Sequence, residues 1–177
     1  MRGFAAALVV ATLLSACGGS SSPSSSPSRN APSSSASAPV GGGGTLSDQA
    51  YDQALAAAEQ KVTTAESAAR SKAKAKTPIS VVTPLLTSWA AAMDSAADDL
   101  SSITPPTKAT TANQHLVTAL HDFATELRSA VDSIEKSKKP WLKVLSGIMQ
   151  GAKGPTELEA AVKELNGLGY STHPAGG

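Results

Sequence analysis

The chain has 177 residues, and its 15 Lys+Arg side chains almost balance its 14 Asp+Glu side chains. With no large field of one sign, the chain has no electrostatic basis for binding nucleic acid or for steering an ionic ligand. A single cysteine excludes an internal disulfide and a metal site built from several thiolates. The length is sufficient for one domain.

The N-terminal residues have the layout of an export signal. A short basic region precedes an unbroken apolar run, FAAALVVATLL, at residues 4–14. This run is shorter than the roughly 20 residues that span a bilayer, and it fits the apolar region of a signal peptide. The run leads into a leucine, two small residues and a cysteine, which resembles the lipobox of bacterial lipoproteins. The four residues are Leu14, Ser15, Ala16 and Cys17.

The lipobox resemblance implies that Cys17 carries a membrane anchor. In such lipoproteins the cysteine thiol is joined to diacylglycerol and a peptidase cuts before it, so residues 1–16 are predicted to be a signal peptide. Two acyl chains suffice for stable anchoring. We therefore expect a lipid-anchored protein on the extracytoplasmic face of the cell membrane. The alternative is an ordinary signal peptide with a cysteine nearby by chance, which would leave a lone reactive thiol.

Residues 17–45 are predicted to form the lipidated cysteine and a disordered tether. Ser, Gly, Pro and Ala dominate this segment, and its one charged residue is Arg29. Such a composition buries too little apolar surface to offset the entropy of ordering. A flexible chain of this length has a reach of about 30 Å. The Ser/Pro richness fits a plain spacer or a segment that accepts O-linked glycans.

Between residues 46 and 168 the apolar residues recur at alternating steps of four and three. This spacing places each set on one stripe of a helix, and no segment has the strand period of two. The sequence therefore predicts an all-α fold: an antiparallel bundle of three long helices with one or two short C-terminal helices. The three long stripes begin at Tyr51, Val82 and Leu116. Because the first is rich in alanine, we expect the second and third helices to hold the core, with the first either closely packed or able to come away.

Capping residues and prolines predict the helix boundaries. Ser47 caps the first helix, which we expect to end near Lys76, before Thr77-Pro78. The second begins at Pro78 or, with Thr83 as the cap and Pro84 at the first position, one turn later. It ends at Thr104-Pro105-Pro106. The remaining helices are predicted at 107–139, 141–150 and 157–166, with Gly167 as a C-terminal cap and 169–177 as a flexible tail.

Two groups of polar residues are candidate sites for metal binding or acid–base chemistry. Asp94, Asp98 and Asp99 form a carboxylate cluster, but no Gly-bearing calcium loop accompanies them, which favours a charged outer face. His115, Asp122 and Glu126 share a stripe of the third helix and are spread too far along it to meet at one ion. His121 and Asp122 point in different directions. The sequence assigns no catalytic residue, metal ligand or cofactor.

Charged pairs at helical spacing are predicted to be solvated support for the helices. They are Glu66–Arg70, Asp132–Lys136, Glu135–Lys139 and Glu159–Lys163. Lys72, Lys74 and Lys76 can contact anionic lipid or wall polymer, or can complement the negative end of the first helix, and the second interpretation is favoured.

The two tryptophans differ in their predicted roles. Trp89 falls on the apolar stripe of the second helix and is expected in the core. Trp141, directly after Pro140, either covers the end of the bundle or lines a groove. If a partner surface exists, its candidate contacts are Trp141, Leu142 and Leu145.

A second resemblance accompanies the lipobox. A Pro-Pro pair followed by the pattern His-Leu-Val-x-Ala-Leu-x-x-Phe, here at residues 115–123, is similar to small, Ala-rich helical lipoproteins of actinobacteria. The resemblance covers roughly residues 1–140. It transfers no binding residues to this chain.

These features favour a non-enzymatic helical module of the cell envelope, tethered to the membrane by its lipid and binding an envelope protein or an apolar ligand. The alternative is a cell-envelope hydrolase or wall-modifying enzyme. Enzymes need polar groups that converge in a shaped pocket, whereas this sequence shows apolar stripes with dispersed charges.

Overall fold

A computed structural model of the chain describes residues 44–172, and every element in this range is helical. The predicted signal peptide, Cys17 and the tether up to residue 43 lie outside the described residues. The all-α prediction is confirmed for the described part. It contains a single 3₁₀ turn at Thr107–Ala109 and five α-helices. They are α1 (Asp48–Lys72), α2 (Ile79–Ser101), α3 (Thr110–Lys136), α4 (Trp141–Met149) and α5 (Gly154–Gly167).

Helix α1 begins where the sequence predicts and ends one turn earlier than expected. The Ser47 side chain accepts a hydrogen bond of 3.2 Å from the Ala50 N–H, which satisfies one free donor of the first turn. At the other end, the Thr77 hydroxyl donates to the Lys72 carbonyl and accepts from the Lys74 N–H. This side chain closes a turn over residues 72–77, so α1 ends at Lys72 and not near Lys76.

Helix α2 begins directly after Pro78, which decides between the two predicted starts. Pro84 lies inside the helix, in its second turn, and has no N–H to donate to the carbonyl one turn earlier. A 3₁₀ turn precedes α3, which ends at Lys136, three residues before the predicted end, because Ser137 adopts an extended conformation.

The start of α5 is fixed by the side chain of Glu126 on α3. Its two carboxylate oxygens accept hydrogen bonds from the backbone N–H groups of Lys153, at 2.8 Å, and Gly154, at 3.0 Å. A carboxylate at this position suits the positive end of the helix. A Cβ atom on Gly154 would lie 2.7 Å from the Phe123 Cα, so only glycine allows this approach. The helix therefore begins at Gly154, earlier than the predicted Glu157.

The C-terminal residues correct the prediction of a flexible tail from residue 169. Gly169, and not Gly167, ends α5 in the left-handed conformation, with φ of 91°. The Gly169 N–H donates to the Asn166 carbonyl and the Tyr170 N–H to the Leu165 carbonyl, a Schellman motif. This turn carries Tyr170 back onto α1, where it is 3% exposed. Residues 173–177 lie outside the described part.

The core has two clusters along the axis of the bundle. The larger joins α1, α2, α3 and α5 and includes Tyr51, Met93, Leu100, Leu127 and Leu165. The smaller lies where α1 ends and α2 begins, and contains Val82, Leu86, Val131, Ile134 and Trp141. Trp89 is partly buried against both clusters and meets the Phe123 ring edge-on. Helix α1 contributes buried side chains along its whole length, so in this structure it is closely packed.

One predicted surface pair is partly a core feature. Glu66 is 4% exposed, although the Glu66–Arg70 spacing predicted a solvated pair. The Arg70 Nε donates to Glu66 Oε1 at 2.7 Å, and the Arg70 side chain stays in solvent. The carboxylate is buried because α2 packs along α1, while the longer arginine reaches out from the interface.

Candidate interaction surface

The structure places the three candidate contact residues in different environments. Trp141 is buried in the smaller core cluster, so it covers the end of the bundle. Leu145 is half-buried against the same cluster, whereas Leu142 is 46% exposed. Of the three candidate contacts, Leu142 is therefore the exposed one, and Trp141 acts mainly to hold α4 on the bundle.

Helix α4 is strongly apolar and yet only partly buried. Six of its nine residues are Trp, Leu, Val, Ile or Met, and Trp141 alone among them is buried. The indole N–H groups of Trp141 and Trp89 are buried without a hydrogen-bond acceptor among the described residues.

The neighbouring connections are rich in lysine. We use the name distal end for residues 72–82 and 132–145, which surround the smaller core cluster. These two segments carry seven lysines and two carboxylates, whereas the rest of the described chain carries six Lys+Arg and twelve Asp+Glu. All seven lysines are exposed, and within the described part of the chain none forms an ion pair. They are Lys72, Lys74, Lys76, Lys136, Lys138, Lys139 and Lys143.

The predicted pairs Asp132–Lys136 and Glu135–Lys139 are not formed, which leaves those lysines open to solvent. Lys74 complements the end of α1, as the sequence suggested, because its Nζ donates to the Arg70 carbonyl at 3.2 Å.

The exposed apolar side chains lie at the same end as the lysines. Within residues 44–172 the large hydrophobic residues that are exposed are Ile79, Val81 and Leu142, at 37%, 44% and 46%. Ile79 and Val81 occupy the first turn of α2, beside Val82 of the smaller cluster, and Leu142 follows Trp141 of that cluster. The distal end thus combines unpaired positive charge with exposed apolar surface.

The candidate acidic cluster on α2 is used to join helices. Asp94 contacts His121 on α3, with 3.0 Å between Oδ1 and Nδ1, and its other oxygen pairs with Arg128. Asp98 Oδ1 lies 3.7 Å from His121 Nε2, and Asp99 pairs with Lys61 of α1. No local spacing in the sequence indicates the Asp94–His121 pair, because the two residues lie on different helices.

The second candidate group does not come together. His115 pairs with Glu164 of α5, at 2.8 Å between Nδ1 and Oε2, while Glu126 caps α5. Asp122 lies between them and is exposed. Across residues 44–172 the structure holds no group of three or more His, Cys, Asp or Glu side chains arranged to bind a metal ion. In the same range, no helix is both long and apolar enough to cross a membrane.

We call the end of the bundle opposite the distal end the entry end. Polar contacts to Tyr170 stabilise it. Its hydroxyl donates to Asp48 Oδ1 at 2.6 Å, and Lys108 pairs with the same carboxylate at 3.1 Å. The hydrogen bond from Tyr170 and the pairing with Lys108 lower the pKa of Asp48. Burial raises the pKa of Tyr170 and of Tyr51, whose ring meets the Tyr170 ring edge-on.

A small apolar crevice lies between α1 and α5. It has a volume of about 50 Å³ and is lined by aliphatic side chains that include Leu55, Leu120 and Leu158. An engineered cavity that binds benzene has roughly 150 Å³. This crevice is too small for a ligand of that size.

Comparison of the chain with protein-family models, with curated proteins and with solved structures gave no match.

Proposed function

We propose that this protein is an extracytoplasmic lipoprotein whose antiparallel helical bundle is a non-enzymatic binding module. It is anchored at Cys17 and binds its partner through the distal end. One observation carries the proposal: Leu142 of α4 and Ile79 and Val81 of α2 expose apolar side chains at the end of the bundle opposite the one where the chain enters.

The position of α4 is typical of an interaction surface. The larger core cluster is built from α1, α2, α3 and α5, and α4 contributes only Met149, at its periphery. Scattered single apolar residues on a surface need no explanation, but a group of them at one end of a bundle indicates a contact site. Leu142 on α4 and Ile79 and Val81 on α2 make up this group.

The direction of the bundle supports anchoring at one end and binding at the other. The chain enters at Leu46, whose N–H donates to the Thr104 carbonyl at 2.8 Å, beside Asp48 and Tyr170. Helix α1 then runs for 25 residues, or about 37 Å, to the distal end. The tether that the sequence predicts for residues 17–45 would join the bundle at the entry end, which would raise the effective concentration of the module near other envelope components and leave the distal end free to bind.

The polar side chains support binding over catalysis. Asp94, His121 and Arg128 pair with one another across α2 and α3, and His115 pairs with Glu164 across α3 and α5. These groups hold helices together, whereas catalysis needs polar groups directed at a pocket. We propose an envelope protein or an apolar surface as the partner.

Two measurements on the chain expressed in a bacterial envelope test this function. Mass spectrometry of the mature N-terminus should show a diacylglyceryl-modified Cys17, and Cys17→Ser should move the protein out of the membrane fraction. A photo-activatable amino acid at Leu142 should form covalent adducts that the same probe at the exposed α1 residue Thr63 does not. An unmodified Cys17 contradicts the anchor, and equal labelling from the two positions contradicts the binding surface.

A further inference from the structure

We propose that the distal end docks on an anionic phospholipid bilayer, with α4 lying in the headgroup region. This deepens the proposed function by naming the partner of the same surface. It adds a second membrane contact, made by the folded bundle itself and independent of Cys17.

The charge of the distal end is matched to an anionic surface. Clusters of four to eight Lys or Arg beside a membrane are typical of segments that bind anionic lipid, and the distal end carries seven lysines. All are exposed and none forms an ion pair in the described part of the chain, so binding does not require an internal carboxylate to be displaced. Two carboxylates, Asp132 and Glu135, reduce the positive field only in part.

The apolar side chains decide in favour of a bilayer over a soluble anionic polymer. An interfacial helix has apolar residues on one face and lysines around them, and it places the apolar face in the boundary between headgroups and acyl chains. On α4 the exposed large apolar residue is Leu142, which Lys138, Lys139 and Lys143 flank in the sequence, while Trp141, Val144 and Leu145 pack on the smaller core cluster. Ile79 and Val81 add exposed apolar surface from α2. A phosphate polymer would satisfy the lysines and leave these side chains in water.

The charge distribution also sets the orientation. The described residues outside the distal end have twice as many acidic as basic side chains, twelve against six, so an anionic membrane attracts this one region. Electrostatic attraction decays within about 8–10 Å at physiological salt, whereas the bundle is about 37 Å long. The acidic entry end therefore stays outside the range of strong repulsion when the distal end is in contact.

Insertion of α4 can be measured with a single label. Because Cys17 is the only cysteine, the full chain with Cys17→Ser and Leu142→Cys takes one environment-sensitive fluorophore. Vesicles of phosphatidylcholine with about 30% phosphatidylglycerol should shift its emission to the blue, as expected for the boundary region. Vesicles of phosphatidylcholine alone should shift it much less. A label at Thr63→Cys, on an exposed site of α1, should show no shift with either kind of vesicle. The apolar run at residues 4–14 is present in every sample, so it cannot account for a difference between the two labels.

The role of the lysines of the distal end can be tested against a matched pair of lysines elsewhere in the chain. Lys138→Gln with Lys139→Gln should weaken binding to the anionic vesicles by about fivefold per lysine, or about 25-fold together. Lys153→Gln with Lys163→Gln removes the same charge from outside the distal end and should change binding less than twofold. Circular dichroism of all variants should show the same helicity. Equal effects of the two pairs would overturn the proposal, because attraction would then depend on net charge alone.

Other outcomes separate this inference from the proposed function. If sodium polyphosphate binds the distal end while the label at position 142 shows no shift with anionic vesicles, the surface recognises an anionic polymer and the inference is wrong. If neither binds, but the photo-probe at Leu142 captures one specific envelope protein, the binding module stands without the lipid contact. Because the vesicle experiment uses Cys17→Ser, an unmodified Cys17 in the cell would leave its result unchanged.

Discussion

The hydroxyl of Tyr51 on α1 donates a hydrogen bond of 2.9 Å to Oδ1 of Asn113 on α3, and both side chains are buried. The amide of Asn113 in turn donates to the Leu100 carbonyl at 3.2 Å, near the end of α2. Two side chains thus link three helices at the entry end, and one of them satisfies a carbonyl of the last turn of α2. This contact docks the alanine-rich α1 in a defined register.

We expect Tyr51→Phe to destabilise the protein by about 1–3 kcal/mol, because it leaves Asn113 Oδ1 buried without a donor. Urea denaturation followed by circular dichroism measures this change. The control is Tyr51→Phe with Asn113→Leu, which removes both polar partners in the link to α1. An unchanged midpoint for Tyr51→Phe would show that the buried carbonyl oxygen finds another donor.

Two glycines in helices should respond in opposite directions to alanine. Gly154→Ala places a Cβ 2.6 Å from the Phe123 Cβ and 2.8 Å from Glu126 Oε2, so α5 must move away from α3. We expect a loss of more than about 2 kcal/mol. Gly147→Ala in α4 meets no atom within 4 Å and should stabilise by roughly 0.5–1 kcal/mol through helix propensity. Thermal melting of the two variants checks the signs, and an unchanged melting temperature for Gly154→Ala would contradict the close approach.

Substitutions of Trp141 and Leu142 should differ in their effects on stability and on binding. Trp141 is buried and Leu142 is exposed, so Trp141→Ala should lose about 3 kcal/mol and Leu142→Ala less than about 0.5 kcal/mol. The proposed contact surface predicts that Leu142→Ala still weakens partner binding. Urea denaturation alongside vesicle binding measures both effects. Equal stability losses would mean that Trp141 is not anchored in the core.

Stability should fall when the pH rises above about 10. Burial raises the pKa of Tyr51 and Tyr170 from the ordinary value of 10.0, and the pairing with Asp48 raises that of Lys108 from 10.5. A group whose folded pKa is raised contributes stability that is fully present below its unfolded pKa and is lost as the pH rises through the folded value. The two tyrosines are the only ones in the chain, so tyrosinate absorbance reports this end alone.

The alkaline measurement is a series of urea midpoints from pH 8 to pH 11 with absorbance followed in parallel. On the acid side the sign is reversed: the pKa of Asp48 is lowered, so its contribution is present above its ordinary value of 3.8 and lost as the pH falls below it. Tyr170→Phe should make the urea midpoint depend less on pH, on both the acid and the alkaline side. A midpoint that stays constant to pH 11 would contradict the buried environment of the tyrosines.

Much of the local structure could be predicted because its signals lie close together in the sequence. The spacing of Tyr51, Leu55 and Val62 gave the buried stripe of α1, and Ser47 gave its cap. Boundaries that depend on distant residues were wrong. The start of α5 depends on Glu126, which lies 28 residues before Gly154. The choice between Gly167 and Gly169 as the terminating glycine depended on where Tyr170 could pack.

The candidate surface, too, could be predicted from the sequence only in part. The sequence pointed to Trp141, Leu142 and Leu145, since an apolar group after Pro140 stands out in a row of lysines. It could not show that Trp141 turns inward and Leu142 outward, because both orientations satisfy the periodicity of so short a helix. Nor could it show that residues 72–82 and 132–145, separated by about fifty positions, surround one core cluster.

The sequence by itself determined the helical class, because helix formation depends on residue spacing and caps within a few turns. It also determined which side chains form the core stripes. The tertiary structure decided which polar groups pair, as with Asp94 and His121, and which carboxylate is buried, as with Glu66. It also decided where the lysines gather. These outcomes depend on how one helix is placed against another, and that placement is set by the sum of many weak apolar contacts over the whole bundle.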